Sequence, residues 1–278
     1  MIQYPLGVGG HTTRVLESGS GDEVLLLVHG VGARADRWRP NLLGLGAAGY
    51  RVVAIDLPGH GLAVKGGDLP YSVPFFADFL LGTLDALGIG RVTLVGTSLG
   101  AHIVAEAACR APDRVLSLVM VGALGLVSRP GLTPPMARSL RATSREAVHD
   151  KLLRVCGDPS LVSEEWVTEE WRIANSPGAK EALDLLAAYM DSGQDADTLG
   201  ERLRALGPDL ETLLVWGEDD QSVPVEVGRA ALELLPGSRL VVMRGAGHGP
   251  YYERPEVFNG LVASFLAGTL GPERTRVV

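Results

Sequence analysis

Residues 94–100 read Leu-Val-Gly-Thr-Ser-Leu-Gly, so an apolar run stops on a Gly-x-Ser-x-Gly pentapeptide and passes straight into a helix-period segment. Ser98, at its centre, is a candidate nucleophile. A serine hydroxyl attacks poorly in water, but a sharp strand-to-helix turn lifts it clear of a sheet and aims the next backbone amide at a developing oxyanion. Gly96 and Gly100 suit such a turn, because side chains there would collide. With 36 glycines and 15 serines in 278 residues, chance supplies about 0.25 such matches, so the surroundings must support the reading.

Acyl transfer by this serine needs a base, a carboxylate to orient the base, and two amide donors for the intermediate. His248 is the leading base: it follows the last apolar run in Arg-Gly-Ala-Gly-His-Gly-Pro, a glycine-rich loop that permits close approach to the serine's turn. His29 reads as a brace for the loop it precedes, while His11, His60, His102 and His149 fall in a hairpin, a turn, a helix and a lid segment. The carboxylate is expected from Trp216-Gly-Glu-Asp-Asp-Gln221, where Glu218, Asp219 and Asp220 compete. Chain order, serine then acid then histidine, matches one known triad arrangement but does not separate Asp219 from Asp220. The amide donors are expected at Leu99 and at Val31, the latter in the loop His29-Gly-Val-Gly.

The elements that must hold these groups follow from hydropathy. Nearly continuous apolar runs at 23–30, 50–59, 91–97, 114–122, 211–217 and 238–245 alternate with helix-period segments at 38–48, 74–87, 99–110, 225–235 and 255–266. Continuity rather than alternation means strands buried on both faces, as in a mostly parallel sheet covered by helices. Residues 1–18 are expected to add an antiparallel edge hairpin, and the tail at 272–278 is expected to fray. Between about 126 and 208 the strand signal disappears, and helical segments at 144–155, 163–175 and 177–190 follow one another. A helical insertion is the simplest reading, giving a core from 1–125 and 209–278 and an inserted unit at 126–208.

Composition narrows the class. Hydrophobic content of 46% and charged content of 21% are globular values, and the length suits one domain with an insertion. A formal charge of −8 disfavours nucleic acid and anionic membrane partners, leaving a small-molecule substrate and a monomer or homodimer as expectations. Cys109 and Cys156 lack metal or redox spacing, so no disulfide is needed and a cytoplasmic location is expected. The N-terminus carries no basic start or long apolar stretch, which argues against a secretion signal.

Taken together, His29-Gly-Val-Gly, Asp56-Leu-Pro-Gly-His-Gly61, Gly96-Thr-Ser-Leu-Gly100, Trp216-Gly-Glu-Asp-Asp220 and Gly247-His248 resemble the motifs of the α/β-hydrolase fold family, in that family's order and spacing. The resemblance implies an eight-stranded, mostly parallel sheet flanked by helices, with residues 126–208 as a helical cap over the site. It implies Asp220 as the acid of the triad, because Gly217 and Asp220 match the family's Gly-x-x-Asp. It also implies Ser98 as nucleophile and His248 as base, with no metal or organic cofactor. Related epoxide hydrolases and haloalkane dehalogenases carry Asp at the position of Ser98, so neither activity is implied.

The main expectation is therefore a serine hydrolase that cleaves a carboxylic ester or lactone of a small, largely apolar substrate through an acyl-enzyme. The first alternative is a carbon–carbon bond hydrolase acting on a ring-fission product or β-diketone, since 167–179 and the Trp38 region look similar to that group. That group's loop usually reads His-Gly-x-Gly-Pro-Gly, and here Ala33-Arg34 follow Gly32. A binding or receptor-like protein that keeps the triad is the alternative from another class. An apolar pocket is expected from Leu124, Met136, Trp166, Trp171, Tyr189 and Val223; Arg34, Asp36 and Arg37 near the entrance could bind polar substituents, but an ordinary solvated loop is the first reading for them.

Overall fold

The computed structural model describes residues 1–128, 133–192 and 197–278, and the side chains of 133–136 lie outside the described set. The strands are β1 (Ile2–Val8), β2 (His11–Ser18), β3 (Val24–Val28), β4 (Arg51–Ile55), β5 (Val92–Thr97), β6 (Val115–Val121), β7 (Thr212–Gly217), β8 (Ser238–Met243) and β9 (Thr275–Val277). They form one sheet in the order β1-β2-β4-β3-β5-β6-β7-β8-β9. The first hairpin is antiparallel and joins β4 antiparallel, and every pairing from β4 to β9 is parallel.

The helices are α1 (Arg39–Ala47), α2 (Val73–Ala86), α3 (Leu99–Arg110), α4 (Thr133–Arg141), α5 (Arg145–Val155), α6 (Glu164–Ala174), α7 (Ala179–Ser192), α8 (Gly200–Ala205), α9 (Val225–Leu234), α10 (Pro250–Glu253) and α11 (Pro255–Leu266). One face of the sheet packs on α2, α3 and α9 through Phe76, Leu80, Val104 and Ala231. The other packs on α1 and α11 through Leu42, Leu45, Phe258 and Val262. Covering both faces is what produces the near-continuous apolar strands, each fully buried leucine or phenylalanine contributing about 2 kcal/mol.

The sheet has nine strands, one more than the eight expected. The tail taken as frayed forms β9: Leu240 N donates to Arg274 O at 2.7 Å, Arg244 N to Val278 O at 2.8 Å, and Val278 N to Val242 O at 3.0 Å. All three β9 residues are exposed, so the strand has no apolar signature and is held by its ladder alone. Between β6 and β7 the described chain is helical, with α5 and α6 opened by serine caps. Ser144 Oγ accepts the Ala147 amide at 3.1 Å, and Ser163 Oγ accepts the Trp166 amide at 3.1 Å. Neither α4 nor α8 was among the expected helices, and each is short or broken by prolines.

The order β4-β3-β5 places a switch point between β3 and β5, because the chain leaves β3 to one side and returns on the other. Open α/β sheets bind ligands at that crevice, beyond the carboxyl ends of the strands. Close packing there is enforced by glycine: a Cβ on Gly100 would lie 2.4 Å from the Val28 carbonyl oxygen, and one on Gly96 would lie 2.4 Å from the Gly100 oxygen. Gly100→Ala is therefore expected to destabilise the fold by about 3 kcal/mol. Urea denaturation checks this, and an unchanged midpoint would contradict the close approach of α3 to β3.

Candidate active site

Ser98 ends β5 and begins α3 with φ 55° and ψ −118°. A positive φ is costly for a residue with a Cβ, and here it turns the chain sharply enough to present the side chain. The turn is held by the Ser98 amide donating to Val121 O at 2.9 Å, and by the Ser98 carbonyl accepting Ala101 N at 3.1 Å and Leu124 N at 3.3 Å. Ser98 Oγ is buried and makes no hydrogen bond within the protein. It faces a cavity of about 260 Å³ at the carboxyl ends of the parallel strands.

His248 follows β8 and lines the same cavity. Its Nδ1 lies 2.7 Å from Asp220 Oδ2, while Asp220 Oδ1 accepts the amides of Ser222 and Val223, both at 2.8 Å. Both carboxylate oxygens are thus occupied and the group is fixed. Among the three acids after β7 the structure brings Asp220 to the histidine and leaves Glu218 and Asp219 exposed. With Nδ1–H assigned to the carboxylate, Nε2 keeps a lone pair for the cavity side. Burial disfavours the imidazolium, but the Asp220 charge and hydrogen bond outweigh it and raise the His248 pKa above its ordinary 6.5. Gly122 makes room for the pair, since a Cβ there would lie 3.0 Å from both Asp220 Oδ2 and the His248 ring.

Val31 lines the same cavity from the loop after β3, and Leu99 is the first residue of α3, where a helix leaves its amide free. A Cβ on Gly30 would lie 3.0 Å from Ser98 Cβ, so the loop can approach the serine only with glycine there. His29 braces the loop, as its position suggested. Its Nε2 accepts Leu57 N at 2.9 Å, which assigns the proton to Nδ1 and makes Nδ1 the donor to Gly30 O at 2.8 Å. Burial lowers the His29 pKa, in keeping with a neutral ring. The arrangement can polarise a carbonyl, deliver a hydroxyl to it and move a proton at Nε2.

The cavity wall is mostly apolar, as expected, but other side chains than the expected ones form it. Arg37, Lys151 and Arg154 line the cavity with Leu140, Tyr251 and Tyr252, and no Asp or Glu does. Leu124 and Val223 pack into the core beside the elbow and the Asp220 turn, and Tyr189 packs against the same core from α7. Trp166 stands behind the lining, with the Arg37 guanidinium 4.3 Å from its ring, and Trp171 is exposed. The side chain of Met136 lies outside the described residues. Helical periodicity reports burial without distinguishing a core from a cavity wall, which is why these residues were expected there.

The expected solvated loop is corrected too. Arg34 and Arg37 are 3% and 8% exposed, and both pair with Glu170 of α6, Arg34 at 3.4 Å and Arg37 at 3.0 Å. Arg34 and Arg14 also reach Asp36, which Arg39 meets at 2.6 Å. Burial opposes the Glu170 charge, but Arg37, Lys151 and Arg34 outweigh it and hold its pKa at about 2. Lys151 donates to the Gly32 carbonyl at 3.1 Å, tying α5 to the loop that carries Val31. Sequence reasoning placed Arg37 near the entrance but missed Lys151 and Glu170 as site residues. The one available signal was that Lys151 and Arg154, three apart on a helix, share a face.

Glu170 therefore stabilises the contact between α6 and the core in a pH-dependent way. Its folded pKa lies below the ordinary 4.5, so the contribution is complete above pH 4.5 and is lost as pH falls toward about 2. Glu170→Ala is expected to cost about 3 kcal/mol at neutral pH, because it leaves the buried Arg37 guanidinium without its carboxylate, while Arg34 keeps Asp36. Thermal unfolding of both proteins from pH 7 to pH 2 checks this; a constant difference across that range would exclude Glu170 as the titrating link.

Comparison with known proteins adds four findings. The family described as alpha/beta hydrolase fold matches residues 23–255. The chain is 32% identical over 262 residues to the 2-hydroxy-6-oxononadienedioate/2-hydroxy-6-oxononatrienedioate hydrolase of Burkholderia vietnamiensis strain G4, covering 90% of this chain and 89% of that protein. It is 33% identical over 267 residues to the dihydrolipoyllysine-residue acetyltransferase component of the acetoin cleaving system of Cupriavidus necator, covering 94% of this chain and 68% of that protein. Among solved structures, the meta-cleavage product hydrolase from Pseudomonas fluorescens IP01 is similar with a TM-score of 0.84 and 27% identity, covering 95% of this chain and 97% of that one.

Proposed function

The chain belongs to the α/β-hydrolase fold family, and within it we propose a serine hydrolase that cleaves a carbon–carbon bond beside a ketone in a small anionic substrate of the ring-fission type. The observation that carries this reading is the cavity: Ser98 and His248 share it with three cationic side chains and no carboxylate. Such a lining suits a substrate that bears carboxylates, as the dienedioate named for the Burkholderia vietnamiensis relative does. A 2-hydroxy-6-oxodienedioate contains neither ester nor amide, so its hydrolysis breaks a carbon–carbon bond. Ester cleavage is the coarser fit, because a largely apolar ester gives Lys151 and Arg154 no charge to recognise, Arg37 being already paired with Glu170. Binding without turnover would leave the His248–Asp220 pair without a purpose.

In this reading His248 Nε2 takes the Ser98 proton as Oγ adds to the ketone carbon, and the oxyanion rests on the amides of Val31 and Leu99. The substrate reacts as its 2-oxo-3-enoate tautomer, in which the 2-hydroxyl has lost its proton and C5 has gained one; the C5–C6 bond then breaks, its electron pair enters the conjugated 2-oxo-3-enoate as a dienolate, and the departing fragment takes the proton from the His248 imidazolium. An acyl group remains on Ser98. Water then loses a proton to His248 and attacks the acyl carbon; Ser98 regains a proton and the acid leaves. Asp220 keeps the ring in the productive tautomer and stabilises its charge. Residues 126–208 form the cap over the site, with α5 supplying Lys151, Arg154 and Val155 to the lining.

Ser98→Ala should abolish turnover of a 2-hydroxy-6-oxodienoate, followed by loss of its absorbance, while circular dichroism stays native. Persistent turnover would exclude Ser98 as nucleophile. Arg154→Leu should lower the preference for the dienedioate over neutral 4-nitrophenyl acetate by roughly tenfold, the size of one charge-assisted contact. A ratio of kcat/KM values that does not move would remove Arg154 from substrate recognition.

A further inference from the structure

Glu253 ends the short helix α10, five residues after His248 and outside the triad. Its carboxylate accepts hydrogen bonds from three amides. Oε1 takes Gly249 N at 3.1 Å, Gly247 N lies 3.1 Å from both oxygens, and Oε2 takes Gly157 N at 2.7 Å. Gly247 and Gly249 flank His248, and Gly157 belongs to the segment that follows α5. That segment also meets the histidine directly, since His248 N donates to Val155 O at 3.1 Å. The two glycines pack face to face: a Cβ on Gly157 would lie 2.6 Å from Gly247 N, and one on Gly247 would lie 2.5 Å from Gly157 N.

We propose that Glu253 is a positioning residue that ties the docked α5 segment to the orientation of His248, through one carboxylate shared by amides on both sides of the junction. The proposal rests on reading His248 as the base. A bent acceptor with two oxygens can serve three converging N–H groups only when all three segments are in place, so the α5 segment and the base loop order one another. If the α5 segment lifts away, Glu253 loses the Gly157 amide and His248 loses its backbone partner at Val155. The imidazole is then held from Asp220 alone, and small errors in its placement reduce proton transfer steeply. The charged groups facing His248 are Asp220 from the loop after β7, Glu253 from α10, Arg37 from the loop after β3, and Lys151 and Arg154 from α5 across the cavity. Glu253 and Asp220 favour the imidazolium, and Arg37 opposes it.

The test uses the full chain. Glu253→Gln keeps the shape and one good acceptor but removes the charge, and Gly157→Ala leaves Glu253 intact while forcing the junction apart. Hydrolysis of 4-nitrophenyl acetate is followed across pH, and the His248 ring is titrated by NMR in a Ser98→Ala background, where no turnover is needed. Glu253→Gln is expected to lower kcat on the order of tenfold with KM nearly unchanged, to move the ring titration to lower pH, and to move the acid limb of kcat/KM with it. Gly157→Ala is expected to lower kcat similarly with the ring titration retained. The double variant is expected to be no worse than the poorer single one, because both act through one junction. Should Glu253→Gln fail to fold, Gly157→Ala with unchanged kcat overturns the proposal by itself. An unchanged ring titration with unchanged kcat in Glu253→Gln overturns it, and so do strictly additive losses. A ring titration that follows Glu253 while the acid limb does not would keep the positioning role and overturn His248 as the base.

Discussion

Ser98 holds a left-handed backbone that a residue with a Cβ avoids, and much of the sheet is arranged so that it has no other choice. Such a conformation costs about 1–3 kcal/mol and persists only where its surroundings overdetermine it. Here β5 lies between β3 and β6 with both neighbours parallel, so the carboxyl ends of three strands converge on the turn. The Ser98 amide is taken by β6, the first turn of α3 presses Gly100 against the end of β3, and the loop after β3 closes over the serine through Gly30. Removing the strain would require moving a central strand. The position of Oγ is therefore a consequence of sheet topology, and the loops after β7 and β8 only have to reach it.

A second constraint is electrostatic, and it runs against the chain's overall character. The molecule carries a formal charge of −8, yet among the described residues the charged side chains on the mostly apolar cavity wall are all cationic. The acids of the entrance loop and its neighbours do not line the cavity and are already paired: Glu170 with Arg37 and Arg34, Asp36 with Arg14, Arg34 and Arg39, Asp56 with Arg14 and with the amides of Ala35 and Leu62 at 2.8 Å. These pairs fix the entrance loop between the edge hairpin and α6. Lys151 has no such acid within bonding distance and spends its hydrogen bond on a backbone carbonyl, which leaves its charge available to the cavity.

The parts of this structure that were legible in the chain are those governed by local periodicity. The apolar run at 91–97 became β5 at Val92–Thr97, and the helix expected at 255–266 is Pro255–Leu266. Ser98, His248 and the turn after β7 were legible because glycines punctuate them, and glycine placement reports backbone geometry directly. The cavity wall was not legible. Whether an apolar residue such as Val223 or Tyr189 faces a core or a cavity depends on what packs opposite, and that partner is supplied by a distant segment. The same holds for Arg37 and Glu170, 133 residues apart and joined only by folding. β9 escaped notice for the opposite reason: an exposed edge strand has a ladder but no buried face to leave a pattern.

The proposed cleavage beside a ketone, rather than of an ester, makes one further demand on this site. Ester cleavage asks only for an oxyanion hole and a base, because an alkoxide leaves readily once protonated. A carbon leaving group departs only if its electron pair enters a conjugated acceptor, and that acceptor must be held flat and its charge tolerated. The serine supplies no such help. The help has to come from above it, where α5 brings two cations to the wall and ties itself to the loop after β3 through Lys151 and to the loop after β8 through Val155. One helix thus meets the wall that would face the departing carbanion, the loop bearing one oxyanion donor, and the loop bearing the base. In the proposed reading, docking of that helix brings electrostatics and geometry together in one step.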